Sequence, residues 1–404
     1  MYARWQNESL NMALKIRRVV ILEGARQCGK TTLVKQWMST NATYRTLDDA
    51  NILSVARSDP MGFVSHDQRL MIIDEIQKAP ELLSAIKKKV DEDTRPGQYL
   101  LTGSANIQSL PGVNESLAGR VRKVRLRPLT VGETLNHTPL FLEKAFNGMF
   151  VDRSAENLRG EIVDMAFQGG FPEALNATHS KFWHKDYIAA LLERDLKDIA
   201  NIRRKDAMRA LLEVLAAWSG KFMDMSAITA GLSIQRHTAE SYLNALEALH
   251  LIERVHAWTK TDYEKAAKKD KLFMTDTGMM TALLKWKKAN VLLNGDQVGK
   301  LIETFVFTQL IAEVETFGER YQLYHYRDRD QREIDFIVER DDGAMLGIEV
   351  KAGSNTSRSD AKHLAWFKNN IAKGRPFIGV VLNTNPMTFS LGEGLFSAPI
   401  SALF

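Results

Sequence analysis

The most constraining feature of this chain is a Gly-x-x-x-x-Gly-Lys-Thr pattern, formed by Gly24, Gly29, Lys30 and Thr31. An apolar run at residues 19–22 precedes the pattern, and helical spacing follows it. Glycines let the backbone N–H groups of such a loop wrap a phosphate, towards which the next helix points the positive end of its dipole. The strand, loop and helix together predict a phosphate-binding loop in a parallel α/β sheet.

The side chains of this loop predict an ATP site that also holds Mg²⁺. We expect Lys30 to reach the β and γ phosphates and the Thr31 hydroxyl to hold the metal ion. The alternative is a chance loop before a helix. The predicted nucleotide-binding residues are Gly24, Ala25, Arg26, Gln27, Cys28, Gly29, Lys30, Thr31, Thr32 and Ser104.

A second apolar run, at residues 70–73, ends in Asp74 and Glu75. A buried parallel strand carries its last acidic side chain to the carboxyl edge of the sheet, where open α/β sheets bind ligands. Asp74 is therefore suited to hold Mg²⁺ through water, and Glu75 to polarise the water that attacks ATP. Two acids after a strand are by themselves more often solvated, but combined with the loop they predict an ATPase.

Two further segments bear on ATP hydrolysis. The run at residues 99–101 leads to Thr102 and Ser104, either of which could sense the γ-phosphate; an ordinary turn is the alternative. A series of basic residues follows, namely Arg120, Arg122, Lys123, Arg125 and Arg127. Such a series is most simply an exposed strand face, but we predict that Arg120 is an arginine finger, acting in cis or in trans.

The middle of the chain has the pattern of a helix-turn-helix with a wing. A helix, a turn at Gly231, a second helix at about 235–249 and a β-like run at 252–258 follow one another. On the exposed face of the second helix we expect four residues that could contact DNA, namely Gln235, Arg236, His237 and Ser241; a protein contact is the alternative. Lysines then indicate a solvated loop, at Lys260, Lys265, Lys268, Lys269 and Lys271.

The order of motifs along nearly the whole chain resembles the predicted AAA+ superfamily ATPases of bacteria and archaea. The resemblance rests on the segments GARQCGKTT, LDD, IIDEIQ, LLTGSAN, SLAGR, RPLTVGE, GGFPE, LERDL and IEVKAG. It implies an N-terminal AAA+ domain that binds ATP, fused to a C-terminal domain of unknown function related to the PD-(D/E)xK nucleases. Ala25 departs from the family, in which proline is usual; we expect little effect, because the backbone binds the phosphate.

The same resemblance implies a metal site for nucleic-acid cleavage. The positions that match the nuclease motif are Glu303, Asp335, Glu349 and Lys351. Glu349 and Lys351 are two residues apart on a predicted strand and therefore face one side of it. Carboxylates there would hold Mg²⁺, which activates a water, and the lysine would ease formation of the hydroxide. The alternative is an inactive nuclease fold kept as a binding platform.

These patterns predict an α/β multidomain protein, since 404 residues exceed one hydrophobic core. We predict a P-loop AAA+ domain with a parallel sheet, a connector or lid, a helical winged-helix-like domain and an α/β PD-(D/E)xK nuclease-like domain. Their expected bounds are residues 1–135, 136–180, 181–260 and 270–404.

Composition and charge limit the partners and the location. The formal net charge of +5 is compatible with a DNA partner without requiring one. Apolar runs are too short to span a bilayer, and no signal peptide is evident. The single cysteine, Cys28, favours a reducing cytoplasm. We predict a cytoplasmic ATPase that engages DNA; the alternative is a nucleotide-dependent switch acting on a protein. A finger in trans would require an oligomer, a state that the sequence leaves open.

Overall fold

The computed structural model describes residues 2–40, 42–67, 69–103, 119–153, 155–195, 205–261 and 268–404. The chain divides into two compact units. One, which we call the P-loop unit, comprises Arg4–Pro128 and Ala245–Leu251. The other, the C-terminal unit, comprises Met1–Ala3, Leu129–Asn244 and Ile252–Phe404.

The P-loop unit contains a parallel sheet of five strands, in the order β2-β3-β4-β1-β5. The strands are β1 (Val19–Glu23), β2 (Ala42–Thr46), β3 (Leu70–Asp74), β4 (Tyr99–Gly103) and β5 (Val121–Arg125). Parallel strands end at the same edge of a sheet, so the residues after β1, β3 and β4 meet at one edge. The predicted parallel α/β sheet is confirmed, and β1 lies inside it between β4 and β5.

Helices cover this sheet, as expected for strands that are apolar on both faces. They are α1 (Gln6–Ile16), α2 (Lys30–Lys35), α3 (Ala50–Ser58), α4 (Pro60–Val64) and α5 (Leu82–Glu92), and α2 continues into a 3-10 turn at Gln36–Thr40. Leu82 and Ile86 of α5 pack against Ile21 of β1 and Ile73 of β3 in one buried cluster. Strand β2 was not predicted, because its five residues are all only half-buried and form no apolar run.

The C-terminal unit contains two sheets. A small antiparallel sheet has the order β6-β8-β7, with strands β6 (Lys221–Phe222), β7 (Ile252–Val255) and β8 (Lys271–Met274). A mixed six-stranded sheet has the order β13-β14-β12-β11-β10-β9. Its strands are β9 (Tyr321–Arg327), β10 (Glu333–Arg340), β11 (Met345–Val350), β12 (Phe377–Asn383), β13 (Phe389–Gly392) and β14 (Leu395–Pro399).

The remaining helices lie between residues 131 and 370. They are α6 (Val131–Thr134), α7 (Phe141–Phe146), α8 (Leu158–Gln168), α9 (Pro172–Asn176), α10 (Ser180–Ala190), α11 (Lys205–Trp218), α12 (Met225–Thr229), α13 (Arg236–Ala248), α14 (Thr277–Leu283), α15 (Lys288–Leu293), α16 (Gly295–Thr316) and α17 (Lys362–Asn370). In the part of the chain that the structure describes, each helix is too short or too polar to cross a membrane.

Alternating side chains give the six-stranded sheet a core on each face. Phe336 of β10 packs in the same buried cluster as Phe305 and Phe307 of α16. The next residue, Ile337, belongs to a second cluster that includes Phe367 of α17. This period of two is that of a strand buried on both sides, and it places α16 and α17 on opposite faces.

The segment predicted to be a connector is part of the C-terminal core. Phe141, Leu142 and Ile162 lie in the same buried cluster as Phe305. The backbone N–H of Leu142 donates a hydrogen bond to Glu313 Oε1 over 2.9 Å. The helices α7 and α8 therefore share a buried core with α16, while the bounds of the predicted connector stay a prediction.

Candidate functional site

The P-loop follows β1 and depends on two glycines. A Cβ atom at Gly24 would lie 2.1 Å from the carbonyl oxygen of Leu126, so that no larger residue fits there. Gly29 has a φ of +103°, in the left-handed region, and stands directly before α2. Close backbone contact at one end and a left-handed residue at the other fix the path of the loop between β1 and α2.

Lys30 is buried by its own loop. The side chain is 5% exposed, and its ammonium group donates hydrogen bonds to the carbonyl oxygens of Gly24, over 2.9 Å, and Ala25, over 2.8 Å. A buried cation without acceptors would be costly. The two loop carbonyls satisfy the buried ammonium group, and a phosphate oxygen would have to replace these contacts.

Asp74 lies at the carboxyl end of β3 and accepts hydrogen bonds from three hydroxyl groups. Thr31 Oγ1 lies 3.0 Å from Asp74 Oδ2, the Tyr44 hydroxyl donates to the same oxygen over 2.9 Å, and Thr102 Oγ1 donates to Oδ1. The side chain is 1% exposed. Burial, followed by the hydrogen bond to Asp74, raises the pKa of Tyr44, which keeps its hydroxyl a donor. Uncharged donors hold the carboxylate in place and leave its negative charge available.

Glu75 occupies a strained position next to Asp74. Its φ is +62°, which is unusual for a residue with a side chain. Its backbone N–H donates to Thr102 Oγ1 over 3.1 Å, and Gln77 donates to its carboxylate. Burial raises the pKa of Glu75, against the opposing charge of Lys30. A carboxylate with a raised pKa is a better proton acceptor, which is what activation of a water requires.

The oxygen donors at this edge fit Mg²⁺. A hydroxyl and a carboxylate, on Thr31 and Asp74, are hard oxygen ligands of the kind that Mg²⁺ takes in proteins together with substrate phosphates. Their separation of 3.0 Å shows that the loop and the end of β3 meet at one point. The structure therefore brings together four of the predicted residues, namely Lys30, Thr31, Asp74 and Glu75.

Two supporting residues were missed by the sequence analysis. Tyr44 reaches Asp74 from β2, a strand without an apolar run. The Arg4 guanidinium donates hydrogen bonds to the carbonyl oxygens of Cys28, over 2.8 Å, and Arg127, over 2.5 Å, and so ties the loop to the segment after β5. Both contacts are remote in sequence, and no local pattern signals them.

The remaining residues predicted for the ATP site lie in different settings. Cys28 is buried, and its thiol contacts the carbonyl oxygen of Leu126. Gln27 and Thr32 are exposed, and Arg26 is half-buried. Ser104 lies outside the described residues.

Arg120 is not brought to the P-loop of its own chain. It stands directly before β5 and forms an ion pair with Asp91. Because β5 is parallel to β1, Arg120 lies at the amino edge of the sheet, whereas the P-loop lies at the carboxyl edge. A strand of five residues separates the two edges by roughly 17 Å. A finger role in cis is therefore excluded by this placement, and a role in trans stays a prediction.

The C-terminal unit contains a cluster of three carboxylates around one ammonium group. Lys271 Nζ lies 2.6 Å from Glu303 Oε1, 3.0 Å from Glu333 Oε1 and 3.1 Å from Asp335 Oδ1. We call these four residues the Lys271 cluster. Lys271 was expected in a solvated loop, but its side chain is 1% exposed, so that expectation was wrong. Burial lowers the pKa of Lys271, but the charges of Glu303, Asp335 and Glu333 outweigh burial and raise it well above its usual value.

Glu349 and Lys351, the other predicted nuclease residues, pair with each other. Lys351 Nζ donates to Glu349 Oε1 over 2.8 Å. The backbone N–H between them, on Val350, donates to Asp335 Oδ2 over 2.9 Å. Burial, followed by the charge of Asp335, raises the pKa of Glu349 to about 8. Burial likewise raises the pKa of Glu303 to about 7.

The four predicted nuclease residues do not fit a divalent metal ion. Glu303 and Asp335 converge as predicted, but on the ammonium group of Lys271. Across the described ranges of the chain, no group of three or more His, Cys, Asp or Glu side chains is arranged to hold a metal ion. The metal site at Glu303, Asp335 and Glu349 stays a prediction, but a cation of the protein itself lies against Glu303 and Asp335.

The residues predicted to contact DNA lie on the surface of α13 and the turn before it. Gln235, Arg236, His237 and Ser241 are all exposed. Arg236 is paired with Glu240, one turn along the helix, over 2.8 Å. Such an exposed i, i+4 pair contributes little to stability, so the arginine can change partner at low cost.

Comparison with known proteins finds three family models along the chain. The model described as an AAA domain matches residues 16–135, which hold the P-loop, Asp74 and Glu75. A domain of unknown function, DUF8612, matches residues 159–290, and another, DUF4143, matches residues 298–403. The Lys271 cluster is divided between the last two, since Lys271 lies in the former and its three carboxylates in the latter.

Relatives along most of the chain are themselves uncharacterized. A protein of Mycobacterium tuberculosis is 29% identical over 368 residues, which cover 90% of this chain and 77% of the relative. A protein of Mycobacterium bovis gives the same values. Among solved structures, the Walker-type ATPase Paby2304 of Pyrococcus abyssi matches 69% of this chain and 94% of its own, with 15% identity and a TM-score of 0.40. Residues 16–135 of this chain are thus assigned to an AAA domain.

Proposed function

We propose that this chain binds ATP with Mg²⁺ at the loop of residues 24–31 and hydrolyses it. The observation that carries the proposal is the contact of the Thr31 hydroxyl with the Asp74 carboxylate, 3.0 Å apart, beside a buried Lys30. The match of residues 16–135 to an AAA domain supports the same reaction.

Each side chain of the site has a distinct task in this reaction. Lys30 exchanges its two loop carbonyls for phosphate oxygens, and the backbone N–H groups of the loop hold the same phosphates. Thr31 and Asp74 would hold Mg²⁺, which neutralises charge on the phosphates when bound. Glu75 takes a proton from the attacking water, a task for which its raised pKa suits it.

Two substitutions separate binding of ATP from its hydrolysis. We expect Lys30→Ala to lose ATP affinity, measured by calorimetry. We expect Glu75→Gln to keep ATP affinity and to lose about 100-fold or more in turnover, measured as released phosphate. Lys88→Ala and Glu92→Gln, at exposed positions of α5, are the matched controls and should behave as wild type. Undiminished ATP affinity of Lys30→Ala would contradict the proposal.

We further propose that the C-terminal unit engages nucleic acid without cutting it. A cleft of about 740 Å³ there has basic residues on its walls, namely Lys221, Lys268, Lys269 and Arg327, as well as Trp218 and Phe222. The Arg327 guanidinium lies over the Phe222 ring at 4.5 Å, and Lys221 lies over Trp218 at 5.6 Å. Basic groups that follow a phosphate backbone, next to aromatic rings on which bases can stack, are typical of single-strand binding.

Acidic residues also line this cleft, so its charge is mixed. Lys269 is paired with Asp224 over 3.0 Å, and Asp328 and Glu333 also line the cleft. The exposed residues of α13 offer a second contact, in the manner of a winged helix. Cleavage is not part of the proposal, because Lys271 stands where a nuclease metal ion would be needed.

Binding to fluorescent single-stranded and duplex DNA, measured by anisotropy at several salt concentrations, tests this second proposal. We expect affinity to fall steeply with salt, and the double variant Lys221→Ala/Arg327→Ala to bind more weakly with a shallower salt slope. Lys373→Ala, at an exposed position after α17, is the control. Absence of DNA affinity even at low salt would refute it and favour a nucleotide-dependent switch acting on a protein partner.

A further inference from the structure

Lys271 stands at the centre of the acidic residues that a nuclease would use for metal binding. Its three nearest carboxylate oxygens lie at 2.6, 3.0 and 3.1 Å. These are lengths of hydrogen bonds between charged groups, and an ammonium group has three N–H donors. Lys271 donates hydrogen bonds to Glu333 Oε1 and Asp335 Oδ1 and forms an ion pair with Glu303 Oε1, so three carboxylates share one ammonium group.

We propose that Lys271 is a built-in counter-cation that replaces the divalent metal ion, so that these carboxylates bind neither Mg²⁺ nor Mn²⁺. The cluster then acts as a permanent ionic link between β8, α16 and β10. This inference goes beyond the proposed hydrolysis of ATP and does not depend on it.

The backbone holds Lys271 in place from both sides. β8 is the central strand of its sheet, and Lys271 is paired with Phe222 of β6 and with Val255 of β7. A residue in the middle of a three-stranded sheet cannot move its Cα without breaking strand pairing. The ammonium group would therefore leave the carboxylates only by a change of side-chain rotamer, into surroundings that are already packed.

Two aromatic rings near Lys271 favour its ammonium group in this position. The Phe222 ring lies 5.7 Å and the Phe273 ring 5.9 Å from Lys271 Nζ, within the range of cation–π attraction. Gly220, in the turn before β6, has a φ of +79°, and a Cβ there would lie 3.1 Å from Glu303 Oε2. The absence of a side chain at this turn lets Glu303 approach Lys271.

The other predicted metal ligands also have protein donors. Asp335 Oδ2 accepts from the backbone of Val350, and Glu349 accepts from Lys351. Each carboxylate of the nuclease motif thus has a partner within the C-terminal unit. A divalent ion at these carboxylates would have to displace the ammonium group of Lys271, a residue that is 1% exposed.

Manganese titration of the full-length, nucleotide-free protein tests the inference. All proteins carry Asp74→Asn, which removes the acidic ligand predicted for the ATP site. We expect no saturable Mn²⁺ binding to this parent protein by calorimetry. Adding Lys271→Ala should create a Mn²⁺ site at least about tenfold tighter than any in the parent, and adding Asp335→Asn as well should abolish it. Lys269→Ala, two residues away and exposed, is the control and should gain nothing.

Thermal unfolding with and without Mn²⁺ provides a second measurement. We expect Mn²⁺ to raise the melting temperature of the Lys271→Ala protein and to leave that of the parent unchanged. Saturable Mn²⁺ binding by the parent that disappears on Asp335→Asn would overturn the inference, and this comparison holds even if Lys271→Ala fails to fold. A folded Lys271→Ala protein that gains no Mn²⁺ affinity would overturn it as well.

Discussion

The two units hold their carboxylates with different kinds of partner. In the P-loop unit, the buried carboxylate of Asp74 is held by the hydroxyls of Thr31, Tyr44 and Thr102. In the C-terminal unit, the three carboxylates of the Lys271 cluster share the ammonium group of one lysine. Hydroxyls orient a carboxylate without opposing its charge, whereas an ammonium group offsets part of it. The comparison teaches that acids at strand ends predict a cation site only when their own protein leaves the charge unpaired.

The largest effect that would test this comparison is on stability. Replacement of Lys271 by methionine leaves three half-buried carboxylates without their cation. We expect a loss of about 3 kcal/mol in the free energy of unfolding, the lower end of the range for a buried ion pair. Adding Glu303→Gln and Asp335→Asn should recover most of it. Urea denaturation measures both, with Lys269→Met as the exposed control. A loss below about 1 kcal/mol would show that Lys271 does not stabilise the carboxylates of the cluster.

The next largest effect is expected at Asp74, the carboxylate that hydroxyl groups hold in place. We expect Asp74→Asn to lower kcat/KM for ATP by about 100-fold, equivalent to about 2.7 kcal/mol, because the amide cannot hold Mg²⁺ as a carboxylate does. Steady-state phosphate release at several Mg²⁺ concentrations measures the change. Asp341→Asn, at an exposed turn, should hydrolyse ATP as wild type does. Equal rates for Asp74→Asn and wild type would remove the contrast between the two units.

A further carboxylate, Glu313, sharpens the comparison because it accepts a hydrogen bond from a backbone N–H, that of Leu142. Burial raises the pKa of Glu313 to about 7, so the folded protein holds a proton that an unfolded glutamate has lost. Stability due to this group is therefore full below the usual pKa of a glutamate and falls as pH rises to about 7, by about 1.4 kcal/mol per pH unit.

Glu313→Gln should remove that part of the pH dependence. Free energies of unfolding at several pH values between 4.5 and 8 should converge with those of wild type at the acid end and exceed them at the alkaline end. Glu319→Gln, at an exposed position, is the control and should follow wild type throughout. Parallel curves for Glu313→Gln and wild type would mean that the carboxyl group ionises without penalty.

The smallest effect is expected at Tyr44. Tyr44→Phe removes one of the hydroxyls that hold Asp74, and we expect a loss of about 1 kcal/mol in the free energy of unfolding, as for a typical hydrogen bond. Turnover of ATP should change by less than about tenfold, since Thr31 and Thr102 remain. Loss of ATP turnover as complete as that of Asp74→Asn would show that Tyr44 acts directly in the reaction.

The sequence predicted those features that depend on residues close together in the chain. The loop, the strand that precedes it and the acids after β3 are each read from a few neighbouring residues, and parallel pairing then brings Thr31 and Asp74 to one edge. The predicted strand of Glu349 is also present, as β11, which ends at Val350, one residue before Lys351.

Contacts between segments that are distant in the chain could not be predicted from the sequence. Lys271 looks like one more lysine in a basic stretch, and only the pairing of β8 between β6 and β7 buries it beside Glu303. Tyr44 lies in a strand with no apolar run, and Arg4 reaches the loop across more than twenty residues. The edge of the sheet at which Arg120 lies depends on the direction of β5, which cannot be read from composition.

The two hydrogen bonds that Lys30 donates to its own loop have a consequence for the shape of that loop. The loop of residues 24–31 itself provides hydrogen-bond acceptors for the buried ammonium group of Lys30. It therefore does not need a bound anion to keep its shape. The path of the backbone between β1 and α2 is accordingly fixed by the protein's own contacts. Under the proposed binding of ATP, part of the energy gained from a phosphate would go into breaking these two internal bonds, which would lower the affinity for nucleotide.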